Sequence, residues 1–177
     1  MNRDQLEHAI RAACAVAEDT EVYVFGSQAV LGQFPMAPKE LLTSIEVDLQ
    51  PKNKPENTDV VSGSLGEESP FHISFGFYVD CVSIELATLP PGWEERTVAV
   101  ESNLLTGHCL DVHDLAASKL AAYRDKDRVF VSVLIKNGMV DVQTLVARIR
   151  GLPMDPSIRQ SRCDWVQATA AKLTREP

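Results

Sequence analysis

The hydrophobic period of the chain changes once, near residue 111. Before that point, short runs rich in β-branched and aromatic residues alternate with turn signals, which is typical of strands. After it, apolar residues recur at helical spacing. Gly138 marks the predicted end of one helix, and Asp141 and Gly151 bracket the next. Strands followed by helices predict an α+β fold, with a mixed β-sheet core, flanking helices and a C-terminal helical bundle. The predicted division is a core over residues 1–110 and a helical region over residues 111–177, packed on the core.

The core begins with an amphipathic helix and continues through strands and loops. The predicted strands cover residues 21–25, 44–49, 73–82 and 96–101. Ser27, directly after the first strand, is expected to cap a short helix. Residues 52–69 are rich in Asn, Pro, Gly, Ser and Glu, so we expect a loop there, with at most one short helix.

The charge of the chain limits its partners. The net charge of −8 argues against a surface that binds nucleic acid throughout, because phosphate binding depends on cationic residues. The acidic excess lies in residues 1–106, whereas residues 107–177 carry more Lys and Arg than Asp and Glu. A polyanion would therefore bind in the C-terminal part, and ordinary solvated helix faces are the alternative. No apolar run approaches the roughly 20 residues that cross a bilayer, so we expect a cytoplasmic protein with no membrane partner.

Gly26 and Ser27 follow directly on the first predicted strand. Glycine lets backbone N–H groups approach a phosphate closely, and a helix that starts there adds a hydroxyl donor and the positive end of its dipole. This chemistry suits a nucleotide phosphate, so both residues are candidates for nucleotide binding. Gly-Ser is also a common turn sequence, and an ordinary turn is the alternative interpretation.

Glu46 and Asp48 lie two residues apart in the second predicted strand. Residues at that spacing project from the same face, so both carboxylates point one way while Ile45, Val47 and Leu49 point to the core. Two such charges repel each other unless a cation lies between them, and Mg²⁺ or Mn²⁺ with oxygen ligands meets that requirement. A solvated strand face is the alternative.

Asp80 interrupts an otherwise apolar run in the third predicted strand. A carboxylate in such a run lies at the end of the strand or is buried with a partner. If a neighbouring strand brings it beside Glu46 and Asp48, three carboxylates would hold two metal ions about 3.5–4 Å apart, the arrangement used in nucleotidyl transfer. Glu85 competes for the third position, although it would face the other side of a regular strand.

These separated motifs resemble those of the minimal nucleotidyltransferases, which have a polymerase-β-like fold. The shared pattern is Gly-Ser after a strand, an acidic-x-acidic strand about twenty residues later and a single acid on another strand. The segment from Asp114 to Asp127 also resembles the Lys-Leu-x-Ala…Arg-x-Lys-Asp helix of AbiEii-like proteins and of related, uncharacterised bacterial nucleotidyltransferase-like proteins. Residues 77–80 and 89–96 are similar to the latter group. The resemblance covers roughly residues 20–137 and implies a nucleotidyltransferase-like core in a bacterial protein.

The resemblance implies a role for each matching residue of the core. Gly26 and Ser27 would bind the triphosphate of an NTP. The implied catalytic residues, which are also the implied metal ligands, are Glu46, Asp48 and Asp80. Glu46 departs from the family pattern, which has Asp at the first of the paired acids. Glutamate is one methylene longer and can still act as a ligand, but Mg²⁺ demands strict geometry, so weakened catalysis or a changed role of the third ligand is an open alternative.

The basic residues of the C-terminal motif are implied to reach the nucleotide phosphates. They are Lys119, with Arg124 or Lys126. Helical spacing predicts that Lys119 and Lys126, seven residues apart, lie on one face. Asp127 is expected to orient a basic partner, and an exposed helix with ordinary ion pairs is the alternative.

Two functions of different classes follow. The first is a metal-dependent nucleotidyltransferase that moves a nucleoside monophosphate from an NTP to a macromolecule. In the resembled families, the acceptors include tRNA 3′ ends, modified by toxins of toxin–antitoxin or phage-defence systems, and protein hydroxyls, modified by antitoxins that act on a cognate toxin. The second is a catalytically weak nucleotidyltransferase-like binding module that acts through a partner protein.

Overall fold

A computed structural model describes residues 1–173 of the chain. Its strands are β1 (Glu21–Val24), β2 (Glu46–Pro51), β3 (Tyr78–Cys81), β4 (Val98–Ser102) and β5 (Leu105–Cys109). They form one sheet in the order β3-β2-β1-β5-β4. Strand β1 is antiparallel to β2 and parallel to β5, β2 is parallel to β3, and β4 is antiparallel to β5. The predicted α+β fold with a mixed sheet is therefore confirmed.

Alternation along the strands gives the sheet one buried face. Val22 and Leu49 have no exposed surface, whereas their neighbours along the strands are half-buried. Helix α1 (Arg3–Ala17) packs against β1, β2, β4 and β5. The helix begins with a capping box, in which the side chains of Asn2 and Gln5 each accept a hydrogen bond from the other residue's backbone N–H.

Two short helices flank β2 in the sequence. Helix α2 (Val30–Gln33) follows directly on a 3-10 turn over Ser27–Ala29. Gly26, not Ser27, occupies the capping position of this turn, and no side-chain hydrogen bond caps it. Helix α3 (Thr58–Leu65) lies within residues 52–69, in agreement with a loop that contains one short helix.

The strand predicted over residues 73–82 is wrong for its first half, where helix α4 (Pro70–Phe75) lies. Ser69 caps this helix by accepting a hydrogen bond from the backbone N–H of His72, and Pro70 fits the first helical turn. The helix ends at Gly76, which adopts a left-handed conformation with φ of 73°. These local helix signals outweigh the apolar run, so β3 begins only at Tyr78.

The sheet contains one strand that the hydrophobic pattern does not predict. The strand predicted over residues 96–101 is observed as β4, and β5 follows it in a tight hairpin. Asn103 and Leu104 connect them with φ of 52° and 65°, the paired positive values of a type I′ turn. Gly107 and His108 break the apolar alternation of β5, and this is why the strand is not evident in the sequence.

The contacts divide the chain into two compact units. The first contains Met1–Ala87 with Arg96–Asp111, and the second contains Thr88–Glu95 with the chain from Val112 onward. The predicted boundary at residue 110 lies close to the division between Asp111 and Val112.

The second unit is helical. It consists of α5 (Val112–Ala122), α6 (Asp125–Lys136), α7 (Val142–Arg150) and α8 (Pro156–Leu173). Helix α5 packs on α6 and α7, and α8 packs on α6 and α7, which gives the predicted helical bundle. As expected, Asp141 caps α7 through the N–H of Thr144, and Gly151 follows its last residue. Among residues 1–173, no helix is both long and apolar enough to cross a membrane.

Candidate functional site

The Gly26-Ser27 turn lies at the end of β1, beside the strand that carries the paired acids. The backbone N–H of Phe25 donates to the carbonyl oxygen of Asp48 at 3.1 Å. The chain then turns at Gly26 into the 3-10 turn. Because the helical segment that follows is only a few residues long, its dipole is a minor factor, and backbone N–H groups are what the turn offers to an anion.

Gly26 and Asp48 approach each other so closely that a side chain at position 26 would force the carboxylate or the turn to move. A Cβ atom built on Gly26 would lie 1.5 Å from Oδ2 of Asp48 and 2.3 Å from its Cγ. The carboxylate of Asp48 therefore occupies the space that a side chain at position 26 would need. The two motifs that the sequence analysis identified separately are in direct contact.

The register of β2 and β3 brings Asp80 beside Asp48. These two residues are partners across the parallel strands, and Glu46 is likewise the partner of Tyr78. Partners across adjacent strands project from the same face, so the three acids share one face of the sheet. All three are half-buried, and the residues between them in the strands are buried in the core. The roles of these acids as metal ligands stay a prediction.

The acidic face is electrostatically crowded. Burial raises the pKa of Asp80, and the negative charge of Glu46 raises it further. The hydroxyl of Tyr78 donates to Oε2 of Glu46 at 3.1 Å. Burial together with this hydrogen bond and the charge of Glu46 raises the pKa of Tyr78 to about 12, so the hydroxyl keeps its proton at neutral pH. A cation bound at this face would relieve the repulsion.

The donor set fits a hard divalent cation. Carboxylate oxygens are the ligands that Mg²⁺ and Mn²⁺ prefer. Within residues 1–173, no group of three His, Cys, Asp or Glu side chains forms a ready-made metal site. Mg²⁺, however, is usually held by one or two carboxylates together with substrate phosphates and water. Asp48 and Asp80 are the pair that the strand register favours. Glu85, the alternative third ligand, lies exposed in a 3-10 turn over Ile84–Leu86, beyond the end of β3.

The basic candidates all lie in the second unit. Lys119 is on α5, Arg124 precedes α6, and Lys126 is exposed on α6. The prediction that Lys119 and Lys126 share one helical face is wrong, because the helix is interrupted after Ala122. Tyr123 adopts φ of 56° at this break, a left-handed conformation that is rare for an aromatic residue.

Asp127 forms ion pairs with Lys119 and Arg124, the two basic residues on either side of this break. Its side chain is only 1% exposed. It accepts a hydrogen bond from Nε of Arg124 at 2.7 Å and another from the backbone N–H of Arg124 at 3.1 Å. The Nζ atom of Lys119 lies 3.9 Å from the same carboxylate. This geometry agrees with the expectation that Asp127 orients a basic partner.

Two residues near the acidic face were missed by sequence reasoning. One is Tyr78, whose position opposite Glu46 depends on the strand register. The other is Gln28, a polar residue with no exposed surface in the turn after β1. A polar residue just before the apolar run Ala29-Val30-Leu31 was a visible signal for Gln28, whereas no local signal in the sequence identifies the partner of Glu46.

The mixed sheet, the Gly-Ser turn and the acidic face together form a nucleotidyltransferase-like domain. The chain belongs to the DUF6036 family, which is described as a nucleotidyltransferase of unknown function and whose model matches residues 4–168. Comparisons with curated proteins and with solved structures found no match. The family agrees with the resemblance to nucleotidyltransferases, and the narrower resemblance to AbiEii-like proteins stays a prediction.

Proposed function

We propose that this protein is a metal-dependent nucleotidyltransferase that moves a nucleoside monophosphate from an NTP to a macromolecule and releases pyrophosphate. The observation that carries the proposal is the position of the Asp48 carboxylate. It lies against the Gly26 turn and is also the strand partner of Asp80. A turn suited to phosphate and a pair of carboxylates therefore meet at one point of the sheet.

The contact between the turn and the carboxylate has a chemical consequence. A phosphate at the backbone N–H groups of Gly26 and Ser27 would lie near the negative charge of Asp48. These two anions repel each other unless a cation is placed between them. Nucleotide and divalent cation are therefore expected to bind together, each strengthening the binding of the other.

Asp48 and Asp80 are the proposed ligands of Mg²⁺ or Mn²⁺, and Glu46 is the proposed third ligand. When bound, such an ion stabilises the charge that develops on the phosphoryl oxygens during transfer. Glu46 would either share its carboxylate between the ion and the hydroxyl of Tyr78 or give up that hydrogen bond. Through such an ion the two aspartates would hold the reacting phosphate at the turn, and the buried strand residues on either side keep their carboxylates on one face.

Lys119, Arg124 and Lys126 are the proposed contacts of the nucleotide phosphates in the second unit. The support is the family resemblance, together with the ion pairs through which Asp127 holds Lys119 and Arg124. The acceptor is proposed to be tRNA or a protein hydroxyl in a bacterial toxin–antitoxin or phage-defence system in the cytoplasm. The excess of Lys and Arg in residues 107–177 favours RNA.

The alternative function is a catalytically weak nucleotidyltransferase-like module that acts by binding a partner protein, such as a cognate toxin or antitoxin. The observation that favours it is Glu46, which is longer than the aspartate of the family pattern and bonded to Tyr78. A carboxylate engaged in this way is less available to a metal ion. Binding of nucleotide without transfer would be the signature of this alternative.

Incubation with radiolabelled NTPs, Mg²⁺ or Mn²⁺, and total tRNA or a cell lysate tests the proposal. We expect label on an acceptor, and loss of that label with EDTA or in Asp48→Asn. The matched control is Asp59→Asn, which changes an exposed aspartate of α3 and should leave transfer intact. A nucleotide-dependent thermal shift without transfer would favour the alternative function. If none of the NTPs gives either transfer or a thermal shift, the enzyme proposal is overturned.

A further inference from the structure

Gln28 is a buried polar residue with an incomplete set of hydrogen bonds. It lies two residues after Gly26, in the 3-10 turn over Ser27–Ala29, and its side chain has no exposed surface. Its Oε1 atom has no hydrogen-bond partner within the described residues 1–173. A buried acceptor left without a partner destabilises the folded state. Packing alone would therefore be served as well by leucine or methionine.

The other end of the Gln28 amide connects the turn to the acidic strand. Nε2 of Gln28 donates to the carbonyl oxygen of Ser44 at 3.1 Å. The hydroxyl of Ser44 accepts a hydrogen bond from the backbone N–H of Glu46, also at 3.1 Å. One side chain thus links the Gly26 turn, through Ser44, to the first residue of β2.

The far end of the same segment is anchored separately. Nη1 of Arg3 donates to the carbonyl oxygens of Leu31 at 2.7 Å and Gly32 at 3.2 Å. These bonds satisfy carbonyl groups of the last helical turn and tie α2 to α1. At the end nearest to Gly26, Gln28 is therefore the side-chain link, in addition to the backbone hydrogen bond from Phe25 to Asp48.

We propose that Gln28 is a positioning residue for the nucleotide, which fixes the distance between the Gly26-Ser27 turn and the carboxylates of β2. This inference rests on the proposed function of that site. The turn must hold a phosphate and Asp48 must stay beside it, so a small shift of the turn relative to β2 weakens the binding of nucleotide with its cation. The hydrogen bond from Gln28 to Ser44 opposes that shift and keeps the turn beside β2. In return, the Oε1 atom of Gln28 is left buried without a hydrogen-bond partner among the described residues.

The test is Gln28→Met, which keeps the volume of the side chain and removes its amide. The loss of the Ser44 hydrogen bond and the loss of the unpaired Oε1 oppose each other in the free energy of unfolding, so we expect the midpoint of urea denaturation to stay close to that of the unmodified chain. The Kd for NTP with Mg²⁺ should rise about tenfold, which corresponds to one hydrogen bond of about 1.4 kcal/mol. In turnover, KM for the NTP should rise more than kcat falls. The probes are ATP, GTP, CTP and UTP, and the Kd of each is measured separately by calorimetry. The Kd values of the variant and of the unmodified chain are then compared for the nucleotide that the unmodified chain binds most tightly.

Leu31→Met is the matched control, because it perturbs the same buried segment without changing a hydrogen bond. The inference is overturned if Gln28→Met binds the nucleotide as tightly as the unmodified chain, or if Leu31→Met weakens binding equally at equal stability. If Gln28→Met does not fold, Ser44→Ala removes the next link, and an unchanged Kd in that variant overturns the inference. If the unmodified chain binds none of the four nucleotides, the proposed function itself fails and this inference fails with it.

Discussion

Tyr78 donates its hydroxyl to the carboxylate of Glu46 across two parallel strands, at 3.1 Å. The hydrogen bond takes up one acceptor position of Oε2 and reduces the negative charge that this carboxylate offers to a metal ion. A cation bound by Glu46 would therefore share the carboxylate with Tyr78.

Removing the hydroxyl should release Glu46 for metal binding. We predict that Tyr78→Phe tightens the affinity for Mn²⁺ by roughly two- to tenfold, because a single hydrogen bond contributes about 0.5–1.5 kcal/mol. Titration of Mn²⁺ followed by electron paramagnetic resonance measures this directly, without turnover. Tyr23→Phe, on β1, is the control. An unchanged or weaker affinity in Tyr78→Phe would show that Glu46 is not a ligand, or that Tyr78 holds it in the ligating position.

Gly26→Ala should destabilise the protein through its collision with Asp48. The added Cβ would lie 1.5 Å from Oδ2, so the carboxylate or the turn must move, and we expect a loss of about 1–3 kcal/mol. In the double variant with Asp48→Ala the collision with Oδ2 and Cγ is absent, and only the Cβ atom of residue 48 remains close, 2.8 Å from the added Cβ. The two separate losses should therefore add up to more than the loss measured for the double variant. Urea denaturation gives the four free energies of unfolding, and strict additivity would contradict the contact.

Gly63 provides the opposite control for the same type of substitution. It lies within α3, and a Cβ added there would meet nothing within 4 Å. Gly63→Ala should therefore raise the free energy of unfolding by about 0.5–1 kcal/mol, because alanine loses less conformational entropy in a helix. A loss of stability at both glycines would mean that the effect at Gly26 is not specific to Asp48.

Asp19 should cause the free energy of unfolding to decrease at acid pH. Burial raises its pKa, but hydrogen bonds from Asn53, Glu21 and Thr20 outweigh burial and lower the pKa below its ordinary value. The contribution of this carboxylate is therefore fully present above the unfolded-state pKa of about 3.9 and is lost as the pH falls through the lower folded-state pKa.

The measurement is the free energy of unfolding between neutral and strongly acidic pH. Asp19→Asn should cost about 1–3 kcal/mol at pH 7, because an amide cannot accept all the hydrogen bonds that the carboxylate accepts from the backbone and side chain of Asn53 and from Thr20. Its curve should also fall less steeply toward low pH. Asp59→Asn should remain within about 0.5 kcal/mol of the unmodified chain. Parallel curves for Asp19→Asn and the unmodified chain would refute the assignment.

A substitution at Lys126 should change the affinity for nucleotide without changing the stability of the protein. The residue is exposed on α6, so Lys126→Ala should change the free energy of unfolding by less than about 0.5 kcal/mol. If Lys126 contacts the nucleotide, the Kd for NTP should rise, and the difference should shrink as salt is added, because the interaction is screened. Lys136→Ala, also exposed on α6, is the control. Equal affinities for both variants and the unmodified chain would remove Lys126 from the site.

Some parts of the site follow from local sequence. Alternation alone placed Glu46 and Asp48 on one face of a strand, and the helix signals at Asp141 and Gly151 bracketed α7. These predictions succeed because the spacing of residues within one element determines which face they occupy.

Other parts depend on contacts between distant residues. The contact of Gly26 with Asp48 and the pairing of Glu46 with Tyr78 are set by strand register, which local periodicity does not encode. The helix that begins after Ser69 was missed because the apolar run that follows was interpreted as a strand. The break at Tyr123 was missed because the motif around it was interpreted as one continuous helix. The two acidic strands were thus predictable singly, and their juxtaposition was not.

Strand β1 pairs on one side with β5, a strand that is synthesised about 80 residues later. On one side β1 pairs with β2, but on the other it pairs with β5, so that Glu21 lies opposite Thr106. Closing so long a loop is slow, and until it closes one edge of β1 exposes unpaired N–H and C=O groups. A chain that ends before Leu105 should therefore aggregate through this edge instead of forming a smaller sheet. The β4-β5 hairpin covers this edge of β1, and the short strand β4 becomes the edge of the finished sheet.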